Sequence, residues 1–212
     1  MDYPKIAEYI NSLNDNDSLL ATMQEIVNHN SNYYIPAVRN GCGLFLKWFA
    51  SIVNPQSILE IGFGAGASTY MIYSGFNKFK RFITLERDIN RYNRGIDILK
   101  KFNISDVELI HICGLEYLKN TDQYFDFVFL DAVKKEYIDY LPLIYNRLNI
   151  NGYLIADNTI FGGRVVDTDI EKKYKNGVEK LKEFNTVLSQ DKRFLTQFIH
   201  IDDGISVSKK NL

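Results

Sequence analysis

Short apolar runs alternate along the chain with longer stretches of helical periodicity. Five of these runs are predicted as strands, at 57–61, 81–86, 107–111, 125–131 and 153–157. Helical stretches are predicted between them, at about 67–76, 89–102, 114–119 and 135–148. Strand and helix in alternation predict an α/β fold, in which a doubly wound parallel sheet is covered by helices on both faces.

The two ends of the chain depart from this alternation. Residues 1–54 carry helical patterns only, and one of them places Trp48 in a predicted core position. After a charged helix at about 171–190, two strands joined by an Asp-Asp-Gly turn at 202–204 are predicted to form a closing antiparallel hairpin. We therefore expect seven strands in a single domain over 1–212, with a helical N-terminal cap (1–54) and a core (55–212).

Composition and charge narrow the class of protein. The 212 residues are 46% hydrophobic and 24% charged, with a formal net charge of -1, which excludes disordered, collagen-like and coiled-coil proteins. A near-neutral balance argues against a surface devoted to nucleic acid but leaves a local basic patch open. The two cysteines, Cys42 and Cys113, lack disulfide or metal-ligand spacing, which favours reduced thiols in the cytoplasm. We see neither a signal-peptide pattern nor a membrane-spanning apolar window.

The first predicted strand runs into a glycine-rich loop with the sequence EIGFGAGAS at 60–68. Glycines let a backbone turn tightly and approach a ligand, and the helix that follows offers free N–H groups to an anion. Read from Gly62 as G-x-G-x-x-A, the loop fits a dinucleotide fingerprint. Read from Glu60 as E-x-G-x-G-x-G, it fits the loop that holds S-adenosylmethionine in class I methyltransferases. The loop alone leaves both cofactors open.

A carboxylate at the end of the second strand has the position of a ribose ligand. Glu86 lies 20 residues beyond Gly66, where an acid can accept both ribose hydroxyls. Both NAD and S-adenosylmethionine contain this ribose, so Glu86 does not separate them.

Acidic and amide side chains at the next strand ends separate the two cofactors. Asp131 follows the fourth strand, and Asp157 and Asn158 end the fifth. Their oxygen atoms suit Mg²⁺ or a similar divalent cation with open water positions. Lys134, three residues past Asp131, could face the same cleft as a base. A nicotinamide dehydrogenase would explain the glycines and Glu86, but it would not explain this cluster.

With these motifs, the chain resembles the class I, divalent-cation-dependent O-methyltransferases that include catechol and caffeoyl-CoA O-methyltransferases and bacterial relatives. The resemblance runs from about residue 36 to the C-terminus and implies a Rossmann-like methyltransferase domain in a cytoplasmic homodimer. It implies that Asp131, Asp157 and Asn158 bind the metal and that Lys134 deprotonates or orients the acceptor hydroxyl. The implied contacts to S-adenosylmethionine are Val38, Glu60, Gly62, Gly64, Gly66, Ser68, Glu86, Cys113, Gly114 and Asp131.

One position departs from the pattern of the family. Relatives often carry Gly-Asp-Ala after the third strand, whereas this chain has Ile112-Cys113-Gly114. The acid is missing, so adenine contacts there are expected to rely on backbone groups.

Two kinds of acceptor are consistent with these motifs, and both carry vicinal oxygens that can chelate a metal. The first is a small catechol-like aromatic compound, and the alternative is 5-hydroxyuridine in tRNA. Scattered basic residues, among them Arg39, Arg87 and Arg91, favour tRNA slightly, although ordinary solvated helix faces explain them as well. An NAD-dependent oxidoreductase is a remoter alternative.

Overall fold

A computed structural model describes residues 3–13, 17–29, 35–76 and 78–211. Its seven strands form one sheet in the order β3-β2-β1-β4-β5-β7-β6. Strands β1 to β5 pair in parallel, and β7 pairs antiparallel with both β5 and β6. The strands are β1 (Ser57–Ile61), β2 (Arg81–Glu86), β3 (Val107–His111), β4 (Phe125–Leu130), β5 (Leu148–Ala156), β6 (Phe194–Ile199) and β7 (Ile205–Lys210). The predicted mostly parallel α/β sheet with a C-terminal antiparallel hairpin is confirmed.

Helices cover both faces of this sheet. The helices are α1 (Tyr3–Leu13), α2 (Asp17–Asn28), α3 (Asn40–Val53), α4 (Ala67–Tyr73), α5 (Ile89–Lys101), α6 (Gly114–Asn120), α7 (Tyr137–Arg147) and α8 (Lys172–Gln190). A short 3₁₀ turn at Lys134–Glu136 precedes α7. One apolar core includes residues of α7 and α8, and a second includes residues of α3 and α4. None of the helices within the described ranges combines the length and apolar character needed to cross a bilayer.

The order of the strands determines where the ligand crevice opens. The chain proceeds from β1 outward through β2 and β3, then returns to the other side of β1 with β4 and β5. The connections after β1 and β4 therefore leave the sheet in opposite directions. A crevice forms at the carboxyl ends of these two strands, which is where open α/β sheets bind ligands.

Strand β5 begins earlier than its sequence pattern indicates. It starts at Leu148 rather than at 153, and 148 itself was predicted as the end of a helix. Phe125 pairs with Leu148 while Phe127 pairs with Tyr153, so an irregularity in β5 accommodates the additional residues. Asn151, with a φ of 63°, lies in this irregular part. Asn149 and Asn151 interrupt the apolar run, which is why the pattern hides the start of the strand.

The expectation that Trp48 lies in the core is wrong. Its exposed fraction is 58%, whereas Leu46 and Phe49 of the same helix are buried. Helix α3 turns a face with Cys42, Leu46 and Ala50 toward the sheet. Trp48 lies on the other face, where its ring packs beside Phe45 with centroids 5.8 Å apart.

Candidate functional site

A cavity of about 580 Å³ opens at the carboxyl ends of β1, β2, β4 and β5. This volume falls in the range of small-molecule sites. The cavity collects eight of the residues that the sequence indicated: Gly62, Gly64, Glu86, Gly114, Asp131, Lys134, Asp157 and Asn158. The cavity therefore lies at the carboxyl ends of the strands beside the switch in strand order, where the rule for open α/β sheets expects a ligand.

The glycine-rich loop leaves β1 in a conformation that only glycine accommodates. Gly62 has a φ of +106°, and a Cβ atom added there would lie 2.1 Å from the carbonyl oxygen of Asp131. The backbone amides of Gly62 and Phe63 both donate to the carbonyl of Leu85 at 3.0 Å. The loop is therefore tied to the end of β2 and passes directly against the residue that follows β4.

Glu60 lies fully buried beneath this loop rather than in the cavity wall. Its carboxylate accepts hydrogen bonds from the hydroxyls of Ser68 at 2.5 Å, Thr84 at 2.6 Å and Thr69. Burial raises the pKa of Glu60 to about 7, although these three hydroxyl donors act to lower it. The contacts fix the first turn of α4 to β1 and β2.

Glu86 is held in place by two backbone amides. Its Oε2 accepts from the amide of Gly64 at 3.0 Å, and its Oε1 accepts from the amide of Asp88 at 2.8 Å. The side chain is almost fully buried, yet it lines the cavity. Each carboxylate oxygen has a second lone-pair direction, so Glu86 can still accept hydrogen bonds from a ligand.

Two carboxylates and an amide come together where β4 and β5 end. Asp131 and the buried Asp157 both line the cavity with Asn158. Burial and the nearby Asp131 carboxylate raise the pKa of Asp157 above its usual value. Asn158 adopts a left-handed backbone with a φ of 56°, and its amide donates to Asp157 Oδ1 at 2.7 Å. This pattern of close like charges beside an amide oxygen fits a divalent cation.

Lys134 places a positive charge beside the carboxylate of Asp131. Its Nζ donates to Asp131 Oδ1 at 2.7 Å and to Tyr137 Oη at 3.2 Å. Burial acts to lower the pKa of Lys134, but Tyr137 and Asp131 outweigh it and raise the pKa above its usual value. Lys134 is therefore an ammonium ion in this arrangement, a donor rather than an acceptor of protons.

The buried Tyr137 joins the two strand ends under the acids. Its hydroxyl lies 3.2 Å from the carbonyl oxygens of both Leu130 and Asp157. Burial raises the pKa of Tyr137 well above its usual value, so the hydroxyl keeps its proton and serves as the donor. Tyr137 thus holds β4, β5 and Lys134 in one arrangement.

Five of the residues named from the sequence lie outside the lining of the cavity in the described part of the chain: Val38, Glu60, Gly66, Ser68 and Cys113. Val38 is buried in the core that includes α3 and α4. Gly66 is the N-cap residue immediately before α4, and a Cβ added to it would lie 2.7 Å from the ring of Phe63.

Other lining residues were not named as site residues from the sequence. Among them are Asp202 and Asp203, which were predicted to form a hairpin turn, and Cys42, which was predicted to be a reduced thiol. Asp202 Oδ2 accepts from the amide of Cys42 at 2.7 Å and so connects the closing hairpin to the first turn of α3. Burial and Asp157 raise the pKa of the Cys42 thiol. An acid pair before a glycine at 204 was the one usable sequence signal.

A complete metal cage built from protein side chains is absent from the described residues. Within them, no group of three or more His, Cys, Asp or Glu side chains could hold an ion. The cluster of Asp131, Asp157 and Asn158 offers two acids and one amide. A cation held there would keep positions open for water or for oxygens of a substrate.

Comparison with known proteins identifies the family of this chain. The model of the O-methyltransferase family matches residues 10–211. Among curated proteins, a caffeoyl-CoA O-methyltransferase from Pinus taeda is 27% identical over 187 residues, which cover 79% of this chain and 69% of the relative.

Solved structures share the fold over nearly the whole chain. A Staphylococcus aureus protein, named as a candidate caffeoyl-CoA O-methyltransferase, superimposes with a TM-score of 0.85 at 25% identity, covering 96% of this chain and 98% of the other. An O-methyltransferase from Bacillus cereus in complex with SAH gives a TM-score of 0.81 at 22% identity, covering 98% and 97%.

Proposed function

This chain belongs to the O-methyltransferase family, and on that premise we propose that it transfers a methyl group from S-adenosylmethionine to a hydroxyl of a small, catechol-like aromatic acceptor. The observation that carries the proposal is the meeting of the glycine-rich loop, Glu86 and the cluster of Asp131, Asp157 and Asn158 in one cavity. Family membership argues against the NAD-dependent oxidoreductase, which the loop alone had left open.

The cofactor half of the cavity is assigned to the loop and to the end of β2. Glu86 would accept the ribose hydroxyls, because two backbone amides already fix its carboxylate toward the cavity. Gly62 and Gly64 allow close approach of the backbone to the methionine end of the ligand. When bound, S-adenosylmethionine supplies a methyl group on a positively charged sulfur. The SAH in the Bacillus cereus relative supports this choice of cofactor.

The acceptor half is assigned to the acidic cluster. Asp131, Asp157 and Asn158 would hold a divalent cation, with Mg²⁺ favoured by their hard oxygen atoms. Such a cation acts as a Lewis acid that lowers the pKa of an acceptor hydroxyl. Two vicinal oxygens on the acceptor suit the open positions, which is the reason for proposing a catechol-like compound.

Lys134 then has one of two roles. As an ammonium ion bound to Asp131 it orients the acceptor oxygen and stabilises the negative charge that develops there. To act as a general base it must first lose a proton, which becomes easier when the charge of Asp131 is engaged by a cation. Its raised pKa favours the orienting role.

Three arginines support a second acceptor class. Arg39, Arg87 and Arg91 line the cavity, where they could contact the phosphates of a tRNA that presents 5-hydroxyuridine. Arg87 is already paired with Glu136, since its Nη1 lies 3.2 Å from both carboxylate oxygens. This pairing leaves less positive charge for a nucleic acid, so the small acceptor remains the first proposal.

Methyl transfer from labelled S-adenosylmethionine tests the proposal. The protein is assayed with a panel of catechols and, separately, with bulk tRNA, each with Mg²⁺ and with EDTA. We expect Mg²⁺-dependent labelling of a catechol. Labelling of tRNA but of no catechol would show that the acceptor is tRNA and not a small aromatic compound. Equal labelling with Mg²⁺ and with EDTA would show that the reaction needs no metal. Absence of both transfer and cofactor binding would overturn the proposed function.

A further inference from the structure

A buried arginine on α5 connects the glycine-rich loop to the end of α2. Arg94 is 8% exposed. Its Nη2 donates to the carbonyl oxygens of Ile26 at 2.8 Å and Val27 at 2.9 Å, and its Nε donates to that of His29 at 2.7 Å. The carbonyls of Ile26 and Val27 belong to the last turn of α2 and that of His29 follows it directly, so the positive charge of Arg94 is favourable to the helix dipole.

The same guanidinium reaches the loop on its other side. Nη1 of Arg94 donates to the carbonyl oxygen of Ala65 at 3.3 Å. Ala65 lies between Gly64 and Gly66, whose φ angles are +55° and +86°. Glycines in such conformations lose much backbone entropy when they are fixed. A hydrogen bond to the one residue between them therefore restricts the loop before a ligand arrives.

Packing around Phe63 strengthens this connection. Phe63 of the loop is buried in a small cluster with Ile26 of α2 and Ile98 of α5. Gly95, beside Arg94, leaves room for the ring, since an added Cβ would lie 2.8 Å from it. The back of the loop, α2 and α5 thus form one packed unit, in which Arg94 contacts both the loop and α2.

We propose that Arg94 is a positioning residue that preorganises the glycine-rich loop for the cofactor by anchoring it to α2. The proposal rests on the proposed function, because the ligand of the loop is taken to be S-adenosylmethionine. A preorganised loop binds more tightly because less ordering is left for the moment of binding. The effect should therefore appear in cofactor affinity and not in turnover at saturating cofactor.

Calorimetric titration with SAH, together with steady-state kinetics, tests this role. We expect Arg94→Met to raise the Kd for SAH about tenfold, the size of one lost charge-assisted hydrogen bond. The KM for S-adenosylmethionine should rise in parallel while kcat stays within about threefold. Arg94→Lys keeps the charge but not the planar fork, so it should restore part of the affinity.

A matched control separates positioning from general stability. Asp126→Asn removes a carboxylate that binds the amides of Gln56 and Ser57 at the start of β1, at the end of the strand away from the loop. This variant should have a lower melting temperature and an unchanged Kd for SAH. The inference is overturned if Arg94→Met is destabilised but binds SAH as the wild type does. If Arg94→Met does not fold, an unchanged Kd in Arg94→Lys overturns it instead. Failure of the wild type to bind SAH would defeat the proposed function itself.

Discussion

Lys134 shows how far the chemistry of one residue depends on its neighbours. The sequence indicated a base, but the ion pair with Asp131 and the contact with Tyr137 hold it as an ammonium ion. The sequence could predict that Lys134 faces the acids, since it lies three residues past the strand end. It could not predict the raised pKa of Lys134, because this depends on how closely the side chains of Tyr137 and Asp131 approach the amine.

The contribution of Lys134 to catalysis is testable by removing its amine. Lys134→Met should lower kcat about 10²–10⁴-fold, whether the amine moves a proton or stabilises the oxygen that forms the new bond. The Kd for SAH should change little, because Glu86 and the loop are left intact. Steady-state kinetics measures kcat, and calorimetry measures the Kd for SAH. A variant that turns over at the wild-type rate would exclude Lys134 from the reaction.

Glu60 gives a prediction for stability as a function of pH. Its folded pKa of about 7 lies above the ordinary value of 4.5, so the folded protein retains a proton that the unfolded chain loses. This contribution to the free energy of unfolding is fully present below about pH 4.5 and is lost as the pH rises through about 7.

Glu60→Gln removes this titration while it keeps the shape of the side chain. Relative to the wild type, the variant should gain about 3 kcal/mol of unfolding free energy between pH 4.5 and pH 8, as an order of magnitude. Urea unfolding of both proteins across this range measures the difference. If the difference in unfolding free energy between the two proteins stays constant from pH 4.5 to pH 8, Glu60 is ionised in the folded protein throughout this range, contrary to the prediction.

At the scale of elements, the side chain of Asp126 connects β4 to the beginnings of β1 and β5. Asp126, in β4, accepts from the amides of Gln56 and Ser57 at 2.9 Å at the start of β1. Its other oxygen accepts from Asn149 of β5 at 2.8 Å. Burial acts to raise the pKa of Asp126, but the hydrogen bonds from Asn149, Ser57 and Gln56 lower it overall.

Removing the charge of Asp126 should loosen three strands at once. Asp126→Asn is expected to lower the free energy of unfolding by about 1–3 kcal/mol, because amide donors are left without a carboxylate. Chemical denaturation measures this loss, and Ser189→Ala on the exposed face of α8 serves as the control. Unfolding at the same urea concentration as the wild type would show that these contacts contribute nothing to stability.

The strands and helices of the core were predictable because their apolar runs are bounded by glycines and acids. The start of β5 was not, since Asn149 and Asn151 interrupt the pattern inside a strand that pairing with β4 nevertheless extends. Trp48 was misplaced for a related reason. Helical spacing indicates which residues share a face, but only the packing of α3 on the sheet decides which face is buried.

At the scale of the whole molecule, strand order brings distant residues into one cavity. Asp131 and Asp157 follow adjacent parallel strands, so the sequence could place them together once the sheet was predicted. Arg39, Cys42, Asp202 and Asp203 reach the same cavity from the segment around α3 and from the hairpin before β7. Their proximity to the acids does not follow from local sequence patterns alone, because it depends on how the helices and the hairpin close over the sheet.

Direct titration with Mn²⁺, followed by its electron paramagnetic resonance signal, tests most directly whether the ends of β4 and β5 hold a divalent cation. The wild-type protein with SAH present should bind one Mn²⁺ per chain, and Mg²⁺ should displace it. Asp157→Asn should lose this binding while Asp126→Asn retains it. Equal binding of Mn²⁺ by the wild type and Asp157→Asn, or none by the wild type, would contradict the account.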